Sequence, residues 1–292
     1  MKPATQTKAW EIRHLKSEVD DITIRYAVRP GTGRCILFLN GRSEYIEKYQ
    51  DLPDDTDFAE ATWIMMDHRG QGSSEGKRSH VKSYDDFARD SAAVVKAAIG
   101  SEPYAVIAHS MGGLIALHAT LKGFLSPTHL VLCAPLFGIL APMPTALARV
   151  LAKVFSYTPL AGRSSGAAVD RRAVFEGNIL TSSRQRFDRM THSQFKGTPP
   201  TFGWIHASFQ AISGIFSKRL LRDLKIPVGI MVGDKELVVN RMVYEGWVKA
   251  REKITGITTP FKLIANAHHE LLNEADEFRH EAIAFIHLIL KR

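Results

Sequence analysis

Tyr104-Ala105-Val106-Ile107-Ala108-His109-Ser110-Met111-Gly112-Gly113-Leu114-Ile115-Ala116-Leu117 is the stretch whose reading decides the fold. Its first five residues form a short apolar run, the pattern of a buried strand. Leu114, Leu117, His118 and Leu121 then recur at helical spacing, and Gly123 supplies a stop. Ser110 stands at the corner between strand and helix, with Ala108 two residues before it and Gly112 two after. A serine on such a corner sits in a strained backbone conformation that leaves no room for a neighbouring bulky side chain. Ala108 occupies a position where glycine is usual, and alanine intrudes least among the alternatives. The amino end of the following helix offers unpaired N–H groups and a dipole that favour a developing oxyanion.

Working outward, strand-like and helix-like patterns alternate. Ile22 to Val28, Cys35 to Leu39, Trp63 to Met66 and Leu130 to Ala134 read as strands. A polar turn, Asp67 to Gly76, follows the third of these, and Tyr84 to Ile99 reads as a helix with Phe87, Ser91, Val94, Val95 and Ala98 on one face. This alternation predicts a parallel sheet with helices on both faces. Beyond Pro135 the pattern changes. From Ile139 to Lys225 no strand is convincing, while Leu147, Val150, Leu151, Val154 and Phe155 form one helical stripe and Ile205, Phe209, Ile212 and Phe216 another. Both stripes are expected to pack the segment internally rather than to line a tunnel. The sheet pattern resumes at Pro227 to Val232 and Phe261 to Ala265, and a helix from about Glu274 to Leu290 follows.

At 292 residues the chain fits one large α/β domain with an inserted subdomain. The division expected is a core of residues 1–138 and 226–292 and a helical cap of residues 139–225. No secretory signal is visible in Met1 to Lys16, and no apolar run is long enough to span a bilayer. Cys35 and Cys133 lie in apolar runs and read as buried reduced thiols, which suits a cytoplasmic protein. No metal-ligand spacing appears, and Arg29-Pro30-Gly31-Thr32-Gly33 is a turn without the pattern of a nucleotide loop. No cofactor and no nucleic-acid partner are expected. The charge is uneven. Residues 139–225 hold 13 Lys or Arg against 4 Asp or Glu, so the whole excess behind the net charge of +8 lies in the cap. Arg163, Arg171, Arg172, Arg184, Arg186 and Arg189 crowd a stretch that also carries Phe175, Phe187 and Phe195, which raises the expectation of peripheral contact with an anionic membrane surface.

A serine hydroxyl becomes a good nucleophile only when a base takes its proton, and that base needs an acceptor on its other nitrogen. The sequence offers a carboxylate in Gly233-Asp234-Lys235-Glu236 and a histidine in Ala267-His268-His269-Glu270, each just beyond the carboxyl end of a strand. That is the edge of a parallel sheet where ligands bind. Asp234 and Glu236 face opposite ways in an extended segment, so only one of them can serve. A tetrahedral intermediate needs at least two N–H donors. One is the backbone of Met111. The other is expected from Asn40-Gly41-Arg42-Ser43-Glu44-Tyr45, where Gly41 lets the N–H of Arg42 face the serine.

The set Leu39-Asn40-Gly41-Arg42-Ser43-Glu44, Asp67-His68-Arg69-Gly70-Gln71-Gly72, Ala108 to Gly113, Ala134-Pro135-Leu136-Phe137-Gly138 and His269-Glu270-Leu271-Leu272-Asn273-Glu274 resembles the bacterial lysophospholipases and monoacylglycerol lipases of the α/β-hydrolase superfamily. The resemblance runs from about Trp10 to the last residues and is weakest in the cap. Asn40-Gly41, where the monoacylglycerol lipases have His-Gly, is nearer the lysophospholipase branch. It implies the α/β-hydrolase fold, a mostly parallel sheet flanked by helices, with the cap inserted between the sixth and seventh strands. It further implies a serine hydrolase of carboxylic esters acting through an acyl-enzyme on a lipid-like monoacyl substrate. Among the open pairs it selects Glu236 over Asp234 and His269 over His268, and it makes the loop holding His68 structural. A serine aminopeptidase of the same fold and a non-catalytic small-molecule binder are the alternatives. The cap offers few carboxylates for a substrate ammonium, and the binder usually goes with a damaged triad.

Overall fold

The apolar runs pair into one eight-stranded sheet, and the computed structural model describes residues 9–56, 58–140, 143–166, 174–191, 193–195 and 197–291. Its strands are β1 (Glu11–Lys16), β2 (Thr23–Arg29), β3 (Cys35–Leu39), β4 (Thr62–Met66), β5 (Tyr104–His109), β6 (Leu130–Cys133), β7 (Val228–Gly233) and β8 (Phe261–Ile264). They lie in the order β1-β2-β4-β3-β5-β6-β7-β8. β1 and β2 pair antiparallel, as do β2 and β4, and all other neighbours are parallel. The helices are α1 (Leu52–Asp55), α2 (Tyr84–Ile99), α3 (Met111–Leu121), α4 (Thr145–Ser156), α5 (Arg184–Thr191), α6 (Phe202–Ile215), α7 (Lys218–Leu221), α8 (Tyr244–Thr255) and α9 (Asp276–Leu290).

The period of two along each strand divides the core. Leu37, Leu39, Ile64, Val106 and Ala108 face a layer that includes Phe87, Leu114, Leu117 and Trp247, from α2, α3 and α8. Ile36, Phe38, Trp63, Met65, Ala105 and Ile107 face a second layer, closed by Leu52 and by Ala282, Phe285, Ile286 and Ile289 of α9. Strands buried on both faces are continuously apolar, which is why they were legible. Between β6 and β7 the described residues hold helices α4 to α7 and no strand beyond two isolated bridges. One of these joins Ile139 to Val239, so the segment starts beside the loop that follows β7.

Three details add to or depart from the sequence reading. β1 was not expected, because Glu11-Ile12-Arg13-His14-Leu15-Lys16 is an edge strand with Ile12 itself exposed. Cys35 is half-buried, since it opens β3 at the end of the sheet, whereas Cys133 is fully buried. The turn after β4, read from the sequence only as polar, is buried at Asp67, His68, Arg69 and Gln71.

Candidate active site

β5 ends at His109 and α3 begins at Met111, which leaves Ser110 on the corner with φ 53° and ψ −117°. That conformation is costly for a residue with a Cβ and persists only when its surroundings over-determine it. They do so here. The Ser110 N–H donates to Cys133 O at 3.0 Å, and its carbonyl accepts from Leu136 N–H at 2.9 Å and Gly113 N–H at 3.0 Å. A Cβ on Gly112 would stand 2.2 Å from Leu39 O and 2.5 Å from Asn40 O, backbone atoms with nowhere to go. Small residues around the serine are therefore demanded by the close passage of β3.

His269, in the loop after β8, places Nε2 3.0 Å from Ser110 Oγ and Nδ1 2.6 Å from Glu236 Oε2. Two backbone bonds tie the loop after β7 to the end of β8 and the loop after it: Asp234 N–H to Ile264 O at 3.0 Å and Lys235 N–H to Ala267 O at 3.0 Å. The other oxygen of Glu236 accepts N–H groups from Val238 at 2.6 Å and Val239 at 3.0 Å. Burial pushes the Glu236 carboxyl up, but the His269 charge, its hydrogen bond and these two N–H groups outweigh it and hold it below its ordinary value. Burial pushes His269 down, yet Glu236, with Glu270 and Glu44 adding to it, leaves the imidazole above its ordinary value. The Asp234 carboxylate has no bond to the imidazole, and His268 turns away to Glu274, with Nδ1 3.0 Å from Oε1. His68 is buried against Asn40 O at 3.3 Å, and burial lowers it to about 4.

Arg42 and Met111 line the same cavity as Ser110. Met111 is the first residue of α3, so its N–H has no carbonyl to meet within the helix. Beneath them lies a group of buried charges that the sequence reading did not assemble. Lys48 Nζ donates to Glu44 Oε1 at 2.6 Å and to Glu270 Oε1 at 2.7 Å, and Tyr49 Oη donates to Glu44 at 3.0 Å. Burial would raise Glu44, but Lys48 and the Gly41 N–H bring it down to about 2. Glu270 Oε2 has no partner among the described residues although the side chain is buried. The one signal available was the four-residue spacing of Glu44 and Lys48; Glu270 is brought in by the fold.

The cavity holds about 710 Å³. It is lined by the polar side chains of Glu44, His109, Ser110, His269 and Glu270 and by apolar ones that include Leu151, Phe155, Phe202, Ile205 and Phe209 from the segment between β6 and β7. The two helical stripes pack in part as expected, with Ile212 in the core and Phe155 of α4 against Phe202 of α6, and in part line the cavity. Leu151, Phe155, Ile205 and Phe209 turn into the cavity, whereas Leu147, Val150, Val154 and Phe216 are exposed. Residues 150 and 151, or 154 and 155, lie about 100° apart on a helix of 3.6 residues per turn, so each such pair spans two faces. Arg42 reaches the segment between β6 and β7, donating to Thr198 O at 2.7 Å beneath the Trp204 ring. Three arginines of this segment are in ion pairs: Arg184 with Asp188, Arg186 with Asp51 and Asp276, and Arg189 with Asp51. Asp170, Arg171 and Arg172 lie outside the described residues.

The family described as serine aminopeptidase, S33 (Hydrolase_4) matches residues 32–276. The lysophospholipase L2 of Escherichia coli strain K12 is 28% identical over 287 residues, covering 91% of this chain and 83% of that protein. A monoacylglycerol lipase of Mycolicibacterium smegmatis is 29% identical over 253 residues, covering 83% of each chain. The fold is that of a soluble variant of monoglyceride lipase from Saccharomyces cerevisiae, with a TM-score of 0.77, 18% identity and coverage of 100% of this chain and 99% of the other.

Proposed function

Because the chain belongs to the serine aminopeptidase S33 family of α/β-hydrolases, we propose that it is a serine hydrolase of carboxylic esters that works through an acyl-enzyme. The observation that carries this reading is the pair of hydrogen bonds running Ser110–His269–Glu236 beside a cavity lined in part by apolar side chains. His269 Nε2 takes the Ser110 proton as Oγ attacks the ester carbonyl, and the Met111 and Arg42 N–H groups receive the oxyanion. The imidazolium then protonates the departing alcohol, and water is activated by the same nitrogen to release the acid. Glu236 fixes the tautomer and stabilises the imidazolium.

The lining of the cavity supports a substrate class: its apolar side chains suit an acyl chain and its polar ones a head group bearing hydroxyls, so a lysophospholipid or a monoacylglycerol is the substrate proposed. The two relatives named above support that choice. The cap would meet substrate at a lipid surface. Leu147, Val150, Val154 and Tyr157 form an outward apolar stripe on and just after α4, next to Arg149 and Lys153, and the cap carries the chain's basic excess. No helix among the described residues is long and apolar enough to cross a membrane, so contact would be peripheral.

One observation favours a second reading. Glu270 Oε2, buried at the cavity and without a partner among the described residues, is placed to hold the ammonium of an aminoacyl substrate, as an aminopeptidase requires. The experiment that separates them uses purified protein with p-nitrophenyl esters of increasing length, lysophospholipids, monoacylglycerols and aminoacyl p-nitroanilides. Ester turnover that rises with acyl length, together with fluorophosphonate labelling lost in Ser110→Ala, is expected. Ser110→Ala should lose several orders of magnitude in rate while keeping its fold. Preference for the anilides would move the assignment to the peptidase.

A further inference from the structure

We propose that Gln71 is a positioning residue that aims the Arg42 N–H at the oxyanion; this rests on the reading of Arg42 above. The Gln71 side chain, buried in the loop after β4, grips the peptide units on both sides of Arg42. Its Nε2 donates to Gly41 O at 3.1 Å, and its Oε1 accepts the Ser43 N–H in a short bond. Gly41 O and Arg42 N–H belong to one planar peptide, and the described residues contain no cis bond. Holding that carbonyl oxygen therefore points the N–H in the opposite direction. The second bond fixes the next peptide plane, where Ser43 sits at φ 62°, a conformation that a β-carbon disfavours and that needs external support. The peptide before Gly41 is held as well, since its N–H donates to the Glu44 carboxylate in another short bond.

The clamp stands on a rigid base. Asp67 accepts N–H groups from Ile46 at 2.9 Å and Ser73 at 2.8 Å and pairs with Arg25 at 2.9 Å. Arg69 holds Asp90 with two bonds, at 2.7 and 3.0 Å. A Cβ on Gly72 would overlap the Asp67 carboxyl at 2.2 Å. The loop Asp67 to Gly72 thus has a use beyond structure. It is the template against which the oxyanion loop is set, and Gln71 is the one side chain in it that touches both flanks of Arg42. An amide is required. A carboxylate at the same place can accept from Ser43 but presents a second acceptor to Gly41 O.

The test compares Gln71→Glu, Gln71→Met and wild type on a soluble short-chain ester, with a boronic acid as the tetrahedral analogue. Loss of a whole oxyanion donor costs about 10²–10³ in kcat. Misaiming one should cost about 10- to 100-fold in kcat with KM within about two-fold, and boronate affinity should fall by a similar factor. The midpoint of the acid limb of the pH profile should stay where it is, because His269 is untouched. If Gln71→Met fails to fold, Gln71→Glu carries the test, since it keeps the length and one of the two bonds. A variant that melts earlier but keeps wild-type kcat and boronate affinity below its melting point would overturn the proposal, as would a loss confined to KM. Wild-type ester turnover and fluorophosphonate labelling are measured alongside. Their absence would defeat the parent reading, whereas their presence with insensitive Gln71 variants defeats the clamp alone.

Discussion

Asp234 and Glu236 stand two residues apart after β7, and only the glutamate reaches the imidazole. Its longer side chain lets one oxygen meet His269 while the other collects the Val238 and Val239 N–H groups. Glu236→Gln keeps the shape and removes the charge, so we expect kcat to fall by about 10³- to 10⁴-fold. Asp234→Asn should stay within about three-fold in the same steady-state assay. The reverse ranking would transfer the role to Asp234. A second expectation follows from the charges around His269. The imidazole acts as a base only when neutral, so kcat/KM falls as pH drops through its pKa. Burial lowers that pKa, but Glu236 first and then Glu270 and Glu44 raise it further, so the acid limb should have its midpoint above the ordinary 6.5. Glu270→Gln removes one of the raising charges and should move the midpoint down, read from the pH profile of kcat/KM. A midpoint that stays or rises would show that Glu270 does not act on the base.

Helix α4 shows why the site was easier to read than the chamber around it. Ser110, His269 and the oxyanion loop each announce themselves by a local rule: a strained corner, a position after a strand, a glycine. The cap does not. Apolar residues on α4 cover both a cavity-facing side, with Leu151 and Phe155, and an outward side, with Leu147, Val150 and Val154. A sequence stripe records only that both are apolar, so the two faces merge in it. β1 fails for the opposite reason: an edge strand with charged positions carries too little pattern to be seen. The outward face of α4 is testable on its own. Replacing Leu147, Val150 and Val154 together with Ser should lower binding to lysolipid-containing anionic vesicles by about ten-fold or more in co-sedimentation. The variant should hydrolyse a soluble short-chain ester at the wild-type rate. Binding that is absent in wild type, or unchanged in the variant, would leave α4 without this role. The electrostatic part should weaken at high salt, since a Debye length is about 8 Å at physiological ionic strength and shorter above it.

Across the whole molecule, the fold was legible because the central strands are buried on both faces, and the proposed triad because Ser110, Glu236 and His269 each follow a strand. The buried group Glu44–Lys48–Glu270 was not, since Glu270 reaches Lys48 from 222 residues away. The same distance in sequence has a consequence for synthesis. Ser110 precedes His269 by 159 residues, and Glu236 and His269 arrive only with β7 and β8, after the whole segment between β6 and β7 has been made. A chain emerging from the ribosome carries the serine long before it carries anything that can activate it. On the proposed triad, hydrolysis is thereby withheld until the far edge of the sheet has docked, and a nascent or clipped fragment holding only the serine corner is expected to be inactive.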